Sequence, residues 1–366
     1  MKKIIAILLV AALALGLAAC GGNGGKSSGT KVSVFWYDES DVYLSSVRTA
    51  LNKELDGLEG VSYDNQYAAN DQSKQLDQIK TAVAGGAKLL VVNQVTSGAA
   101  DTAEDILKAA GNIPVIFFNR AIGTDGSDLP VLQNHATSCF IGTDAPEAGH
   151  MQGKMIGDYV VANYADIDVN GDGVISYAMM KGDEANIEAI FRTQYGVEDA
   201  NAVLAAAGKP ALKYFDAANP SCYQVDQGGA WSAAAAKEYM DTNFVTYNET
   251  NGNLIELVIC NNDGMAEGVI ASLQEKGYNK AGAHLVPVFG VDATDNAKAL
   301  IAEGAMAGTI KQDAEGMAAA VAQTVKAVAG GMAPADALAS LSDDRFSIAE
   351  DSASKLYVAY APYTGA

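Results

Sequence analysis

From Lys31 onward, short β-branched and aromatic runs alternate with longer stretches whose apolar residues recur at helical spacing. Residues 31–37 (KVSVFWY) read as a strand; past Asp41 the period becomes helical, with Leu44, Val47 and Leu51 on one face. A second strand is predicted over 60–68. The next helix is capped by Asn70 or Asp71, turns Leu76, Ile79 and Val83 inward, and stops at Gly85-Gly86. A strand over 88–95, a helix over 99–110 and a strand over 114–119 continue the alternation. It restarts with a helix over 146–163 and runs through strands at 174–182, 213–217, 254–263, 286–293 and 307–313. Helices over 186–207, from about 231, over 265–276 and over 294–303 separate them. Strands that are apolar throughout belong to parallel sheets covered on both faces. There are too many units for one sheet of ordinary width, so the pattern predicts two similar α/β lobes. Many runs end in polar residues: Asp38, Asn93, Asn119, Asp183, Asn262-Asp263, Asp292 and Gln312-Asp313. Ligands in open parallel sheets sit beyond the carboxyl ends of the strands, so two facing lobes would gather these groups in one cleft.

Ahead of this pattern, residues 1–20 read MKKIIAILLVAALALGLAAC. Lys2 and Lys3 precede an uncharged apolar run, which is too short for a stable membrane span and reads as an export signal over 1–19. Its end, Leu17-Ala18-Ala19-Cys20, resembles the lipobox of bacterial lipoproteins, in which Cys20 becomes the acylated first residue. Residues 20–30 then have the composition of a flexible tether. Gly25-Lys26-Ser27 lacks the upstream glycine and the strand of a phosphate-binding loop. The expectation is an exported chain, held at the outer face of the cytoplasmic membrane by lipid alone.

Charge narrows the partners. The formal net charge is −20, and −22 without Lys2 and Lys3, which disfavours binding to nucleic acid. Beyond Cys20, the cysteines Cys139, Cys222 and Cys260 have no metal-type spacing, and an odd, scattered count favours buried thiols over a disulfide. His135, His150 and His284 form no zinc-type pair, and no G-x-S-x-G elbow is present, so the case for an enzyme starts weak.

The strongest local motif runs from Asp168 to Ser176 (DVNGDGVIS) and fits the front half of an EF-hand-type calcium loop. Asp168, Asn170 and Asp172 supply oxygens at alternate positions, Gly173 permits the sharp turn, Val174 offers a carbonyl and Ser176 a hydroxyl. The twelfth position is Met179 rather than glutamate, and the loop enters a strand, so a remote carboxylate is needed to complete the shell.

Together, NDQSKQLDQI (70–79), PVIFFN (114–119), FIGTD (140–144), the calcium loop with MMKG (179–182), VICNNDGMA (258–266), VPVFGVDA (286–293) and GAMAGTI (304–310) resemble the bacterial galactose/glucose-binding proteins of the ribose-binding-like superfamily. The resemblance covers Lys31 to about Pro362. It implies an α/β architecture of two Rossmann-like lobes with parallel sheets, joined by three crossovers near Thr143, Asp313 and Tyr357. The first lobe would comprise 31–143 plus 314–356, the second 144–313 plus 357–366. Glu256 would be the missing calcium ligand.

For the sugar, the resemblance implies Asp41, Tyr43, Asn119, Arg192, Trp231, Asn262 and Asp292, with Tyr43 in a position usually held by phenylalanine. Asn186, Glu188 and Gln312 stand where the family has histidine, aspartate and asparagine. Extra length at 219–229 precedes Trp231. The residue types suit a pyranose in their own right: aromatic faces cover its C–H patches, while Asp, Asn and Arg meet its hydroxyls. The function implied is a monomeric receptor that closes on galactose or glucose and delivers it to an ABC permease, with a chemoreceptor as a further partner. The alternatives are a receptor for another monosaccharide or an autoinducer-like sugar, a tethered sensor input without transport, and a carbohydrate-active enzyme using Asp41, Glu188 and Asp292.

Overall fold

The computed structural model describes residues 29–365; the export signal, Cys20 and most of the tether lie outside the described residues. In the first lobe, strands β1 (Thr30–Trp36), β2 (Val61–Tyr67), β3 (Leu89–Val92), β4 (Val115–Phe118) and β5 (Ser138–Gly142) alternate with helices. These helices are Val42–Asp56, Gln72–Ala84, Ala100–Ala110 and Asp128–Asn134. Asp71 rather than Asn70 caps Gln72–Ala84, because Asn70 lies at φ +57° and turns its amide toward the other lobe.

The second lobe begins with helix Ala145–Ala162 and carries β6 (Ser176–Lys181), β7 (Lys213–Tyr214), β8 (Gln224–Val225), β9 (Leu257–Cys260), β10 (Val288–Asp292) and β11 (Gly308–Gln312). Helices Ile187–Ala206, Ala233–Thr246, Asp263–Glu275 and Asp295–Ala302 separate them. The chain then returns to the first lobe through helices Ala314–Ala329 and Pro334–Ala339, β12 (Phe346–Ile348) and β13 (Lys355–Val358), and ends in the second with β14 (Tyr360–Tyr363).

The first sheet has the order β12-β13-β5-β4-β3-β1-β2 and the second β14-β11-β10-β9-β6-β7, with β8 also on β6. Both are parallel through the middle, while β12–β13 and β11–β14 pair antiparallel at the edges. The core strands are completely buried, as their uniform apolarity requires. Helices Ala145–Ala162 and Ile187–Ala206 approach closely along Gly149, Gly153 and Gly157. A Cβ at Gly153 would overlap the Tyr195 carbonyl, and one at Gly157 would overlap the Val203 side chain.

Three connections cross between lobes, after β5 at Thr143, after β11 at Asp313, and between β13 and β14 at Ala359. The third falls later than the expected Tyr357. Tyr357 still pairs with Gly142 and Ser347 in the first sheet, and the second sheet begins with the Tyr360–Gln312 pair.

Candidate functional site in the interlobe cleft

The strand ends of both lobes converge on one narrow cavity. All ten residues assigned to the sugar from sequence line it, and Tyr37 and Arg120 join them. Several owe their position to capping. Asp41 caps helix Val42–Asp56, its Oδ1 accepting from the Leu44 N–H at 2.7 Å. Asn186 caps Ile187–Ala206 through the Glu188 and Ala189 N–H groups, and Asn262 caps Asp263–Glu275 through that of Met265. Each cap satisfies helix-end donors and holds a polar side chain at the lip of its lobe.

On the first lobe, the Tyr37 hydroxyl donates to Asp41 Oδ2 at 2.7 Å, and its ring lies beneath the Arg120 guanidinium, 3.9 Å from the centroid. Arg120 Nη1 donates to the Val95 carbonyl and Nη2 reaches Asp183 of the other lobe at 3.1 Å. Asn119 follows β4 at φ +62°, a left-handed conformation that asparagine tolerates. Its Oδ1 accepts from Asn93 Nδ2 at 3.0 Å. Sequence reasoning missed Tyr37 and Arg120. Both adjoin recognised strand-end positions, Asp38 and Asn119, and that adjacency was the available signal.

On the second lobe, Arg192 is almost fully buried (2% exposed). Nη1 donates to the Asn261 carbonyl at 2.9 Å; Nη2 faces Gln312 Oε1 at 2.9 Å, Tyr360 Oη at 3.1 Å and Glu188 Oε2 at 3.4 Å. Thr143 Oγ1 donates to Glu188 Oε1 at 3.0 Å and accepts from the Tyr360 hydroxyl at 3.0 Å. Both Glu188 oxygens are therefore engaged by protein. Asp292 ends β10 at φ +130°, and its carboxylate has no protein hydrogen-bond partner among the described residues. Burial pushes its pKa well above the usual carboxylate range; Arg192 opposes that shift, while Asp263, Asp41 and Glu188 add to it. Trp231, at φ +57°, packs its indole over Gly182, where a Cβ would overlap the ring. For a bulky residue that backbone conformation is strained and must be held by its surroundings. The extra segment 219–229 helps to hold it: β8 pairs with β6, and Asp226 Oδ2 accepts from the Ser232 N–H at 2.9 Å. Among the described residues, three buried polar atoms of the cavity-lining side chains have no hydrogen-bond partner: Tyr43 Oη, Arg192 Nε and Gln312 Nε2.

The acidic loop lies elsewhere on the second lobe, ahead of β6. Asn170 Oδ1 accepts from the Asp172 N–H, Asp172 Oδ1 from Val174, and Asp168 Oδ2 from Gly173, the turn pattern that the sequence spacing predicts. Glu256, also nearly fully buried, hangs over the loop and accepts from the Val169 and Ser176 N–H groups at 3.1 and 2.9 Å. Ser176 Oγ is drawn into the strand pair, donating to the Leu254 carbonyl and accepting from the Glu256 N–H. Among the described residues no three His, Cys, Asp or Glu side chains converge as a ready cage. Asn170 and the Val174 carbonyl would have to complete the shell. The residues nevertheless fit a hard cation: Asp168 Oδ1 is buried beside Glu256 without a partner, and every donor is oxygen.

Comparison with known proteins agrees with this architecture. The model of the periplasmic binding protein domain matches residues 32–333. The chain is 32% identical over 331 residues to the D-galactose/methyl-galactoside binding periplasmic protein of Haemophilus influenzae, covering 90% of each. Among solved structures, it resembles an ABC transporter solute binding protein from Bacillus halodurans with bound myo-inositol, at TM-score 0.66 and 21% identity, covering 93% of this chain and 96% of that one. It also resembles one from Clostridium phytofermentans with bound β-D-glucose, at TM-score 0.64 and 21% identity, covering 92% and 94%. At these identities the structural likenesses speak for the fold.

Proposed function

Because this chain belongs to the periplasmic binding protein family, whose members are solute receptors and not enzymes, we propose that it is the sugar receptor of an ABC importer. In this reading it closes on galactose or glucose and hands the sugar to its permease. The observation that carries the reading is the composition of the cavity. Carboxylates (Asp41, Glu188, Asp292), amides (Asn119, Asn186, Asn262, Gln312), two arginines and three aromatic rings line the cleft, and among the described residues three buried polar atoms of this lining lack partners. Leaving such atoms unpaired costs about 1–3 kcal/mol each, and a ring of hydroxyls would satisfy them. The relative at 32% identity, named for galactose, supports the choice of sugar.

A second reading, a receptor for another monosaccharide or cyclic polyol, rests on Asn186, Glu188 and Gln312, where the chain departs from the resembled pattern. Glu188 in particular is spent on Thr143 and Arg192. That engagement also counts against its use as a hydrolytic acid. Calorimetry of ligand-stripped protein against hexoses, pentoses and inositols separates the readings: a preferred hexose supports the first, preference for another ring the second, and no binding ends both.

We assign Ca²⁺ to Asp168, Asn170, Asp172, the Val174 carbonyl, Ser176 and Glu256. When bound, the ion would neutralise the loop's carboxylates and tie it to β9. Ser176 would contribute chiefly by fixing Glu256. Lipid attachment at Cys20 belongs to the same reading and would keep the receptor beside its permease.

A further inference from the structure

β10 ends in two successive residues at positive φ, Asp292 at +130° and Ala293 at +55°, and neither is glycine. Such a turn persists only where its surroundings hold it. Both N–H groups that follow Asp292 lead to one buried carboxylate, that of Asp263. The Thr294 N–H donates to Asp263 Oδ2 at 2.8 Å. The Ala293 N–H donates to Thr309 Oγ1 at 3.4 Å, and that hydroxyl passes its own proton to Asp263 Oδ1 at 2.6 Å. Thr294 spends its side chain on capping helix Asp295–Ala302, so its N–H depends on Asp263. Asp263 is completely buried in the first turn of helix Asp263–Glu275 and lies against the backbone of β10. A Cβ at Gly290 would overlap Asp263 Oδ1, so a glycine in mid-strand makes the room. Gly290 and Thr309 are register neighbours on β10 and β11, which brings the hydroxyl beside that gap.

We propose that Asp263 is a positioning residue for ligand binding: it clamps the strained turn that aims the Asp292 carboxylate into the cleft. The proposal rests on the sugar-receptor reading above, but Asp263 itself does not line the cavity. Among the described residues no protein hydrogen bond holds the Asp292 carboxylate, so its direction is set by the backbone that carries it. Without the clamp, the Asp292–Ala293 turn can relax toward negative φ and carry the carboxylate away from the ligand. Charge-assisted hydrogen bonds are strong and directional, so a misaimed carboxylate loses affinity even when the lobe stays folded. Asparagine at 263 can keep most of the clamp. Its oxygen accepts from the Thr294 N–H, and its amide can donate to Thr309 Oγ1. Alanine at 263 removes both connections.

The test is a double-mutant cycle, read by calorimetry with whichever sugar of a hexose and pentose panel binds best. The proteins are wild type, Asp263→Ala, Asp263→Asn, Asp292→Ala and the pair Asp263→Ala with Asp292→Ala. Asp263→Ala should weaken binding roughly tenfold or more, and Asp263→Asn clearly less. In the Asp292→Ala background, Asp263→Ala should cost almost nothing further, because the group it aims is gone. Thr309→Val, which removes one donor to Asp263 at nearly constant shape, serves in the same cycle if Asp263→Ala does not fold. It should weaken the sugar severalfold, again only while Asp292 is present. Equal losses in both backgrounds overturn the assignment and leave the receptor reading intact. So does a lowered melting temperature with unchanged affinity, which would make Asp263 a purely structural group. Failure of the wild type to bind any sugar overturns both.

Discussion

Arg120 and Asp183 meet across the cleft, Nη2 to Oδ2 at 3.1 Å, joining the end of one lobe's fourth strand to the loop after the other's first. The arginine is buried and stacked on Tyr37, the aspartate partly exposed. The pair spans the two lobes, as does the bond from Asn70 Nδ2 to the Gly228 carbonyl at 2.9 Å, so a hinge opening of the cleft would break both. Asp183→Asn should therefore favour opening by about 1 kcal/mol, the upper range for a partly solvated pair. Expected are a roughly fivefold faster ligand off-rate and a larger ligand-free radius of gyration by solution scattering. An unchanged off-rate would show that the pair adds nothing to closure.

Chelation should lower the melting temperature of the metal-loaded protein. A ligand bound only by the folded state stabilises it by about 2.7 kcal/mol at a hundredfold excess over Kd. Glu256→Gln should abolish most of the chelator response, since the Glu256 carboxylate alone spans from the loop to the strand behind it. Calorimetric scans with and without chelator check this; equal responses in variant and wild type count against the assigned ligands.

Asp263 is buried beneath Thr309 and Thr294, which donate to its two oxygens at 2.6 and 2.8 Å. Burial outweighs those bonds and pushes its pKa up to about 7, with Glu267 adding to the rise. The folded state then binds a proton that the unfolded chain has released by about pH 4. The associated stability is present at low pH and is lost as pH rises through about 7. The melting temperature should fall between pH 5 and 7.5, and Asp263→Asn, though less stable overall, should show a flatter profile. A wild-type melting temperature that rises across this window would refute the assignment.

Gly153→Ala tests the close helix pair. An alanine in a helix interior ordinarily gains about 1 kcal/mol over glycine. Here the added methyl would overlap the Tyr195 carbonyl and force the helices apart, at a cost of about 1–3 kcal/mol. Chemical denaturation should give a net loss; a gain would mean that the helices separate freely.

Cys20→Ala should abolish detergent-phase partitioning of the full-length protein, because the small-residue site ending in cysteine is the only acylation signal the reading invokes. Equal partitioning of variant and wild type would remove lipid from the account.

Much of this was legible because the same residues serve local and functional ends. Asp41 and Asn262 precede helical periods, so the capping pattern that marks a helix start also marks a cleft residue. Arg120 carried no such double signal: an arginine after a strand says nothing of the tyrosine it covers or the aspartate it meets in another lobe. The shift of the last crossover has a similar cause. Residues 355–363 form one continuous β-type run with no glycine, and Pro362 falls late, so only the pairing partners reveal that the chain changes sheets at Ala359. The contact of Glu188 with Thr143 was not legible in the sequence, because it depends on how far apart two elements stand.

The bonds of Arg192 to Gln312 and Tyr360 have a mechanical meaning. The two partners sit beside two of the three crossovers between the lobes, so if the halves turn on these connections as the receptor reading has it, the guanidinium grips the axle. A shift at so short a radius is magnified at the distant rims, where a transporter would touch both lobes at once. On the proposed reading, such a transporter would have no need to inspect the cargo; it could read the angle of the shell.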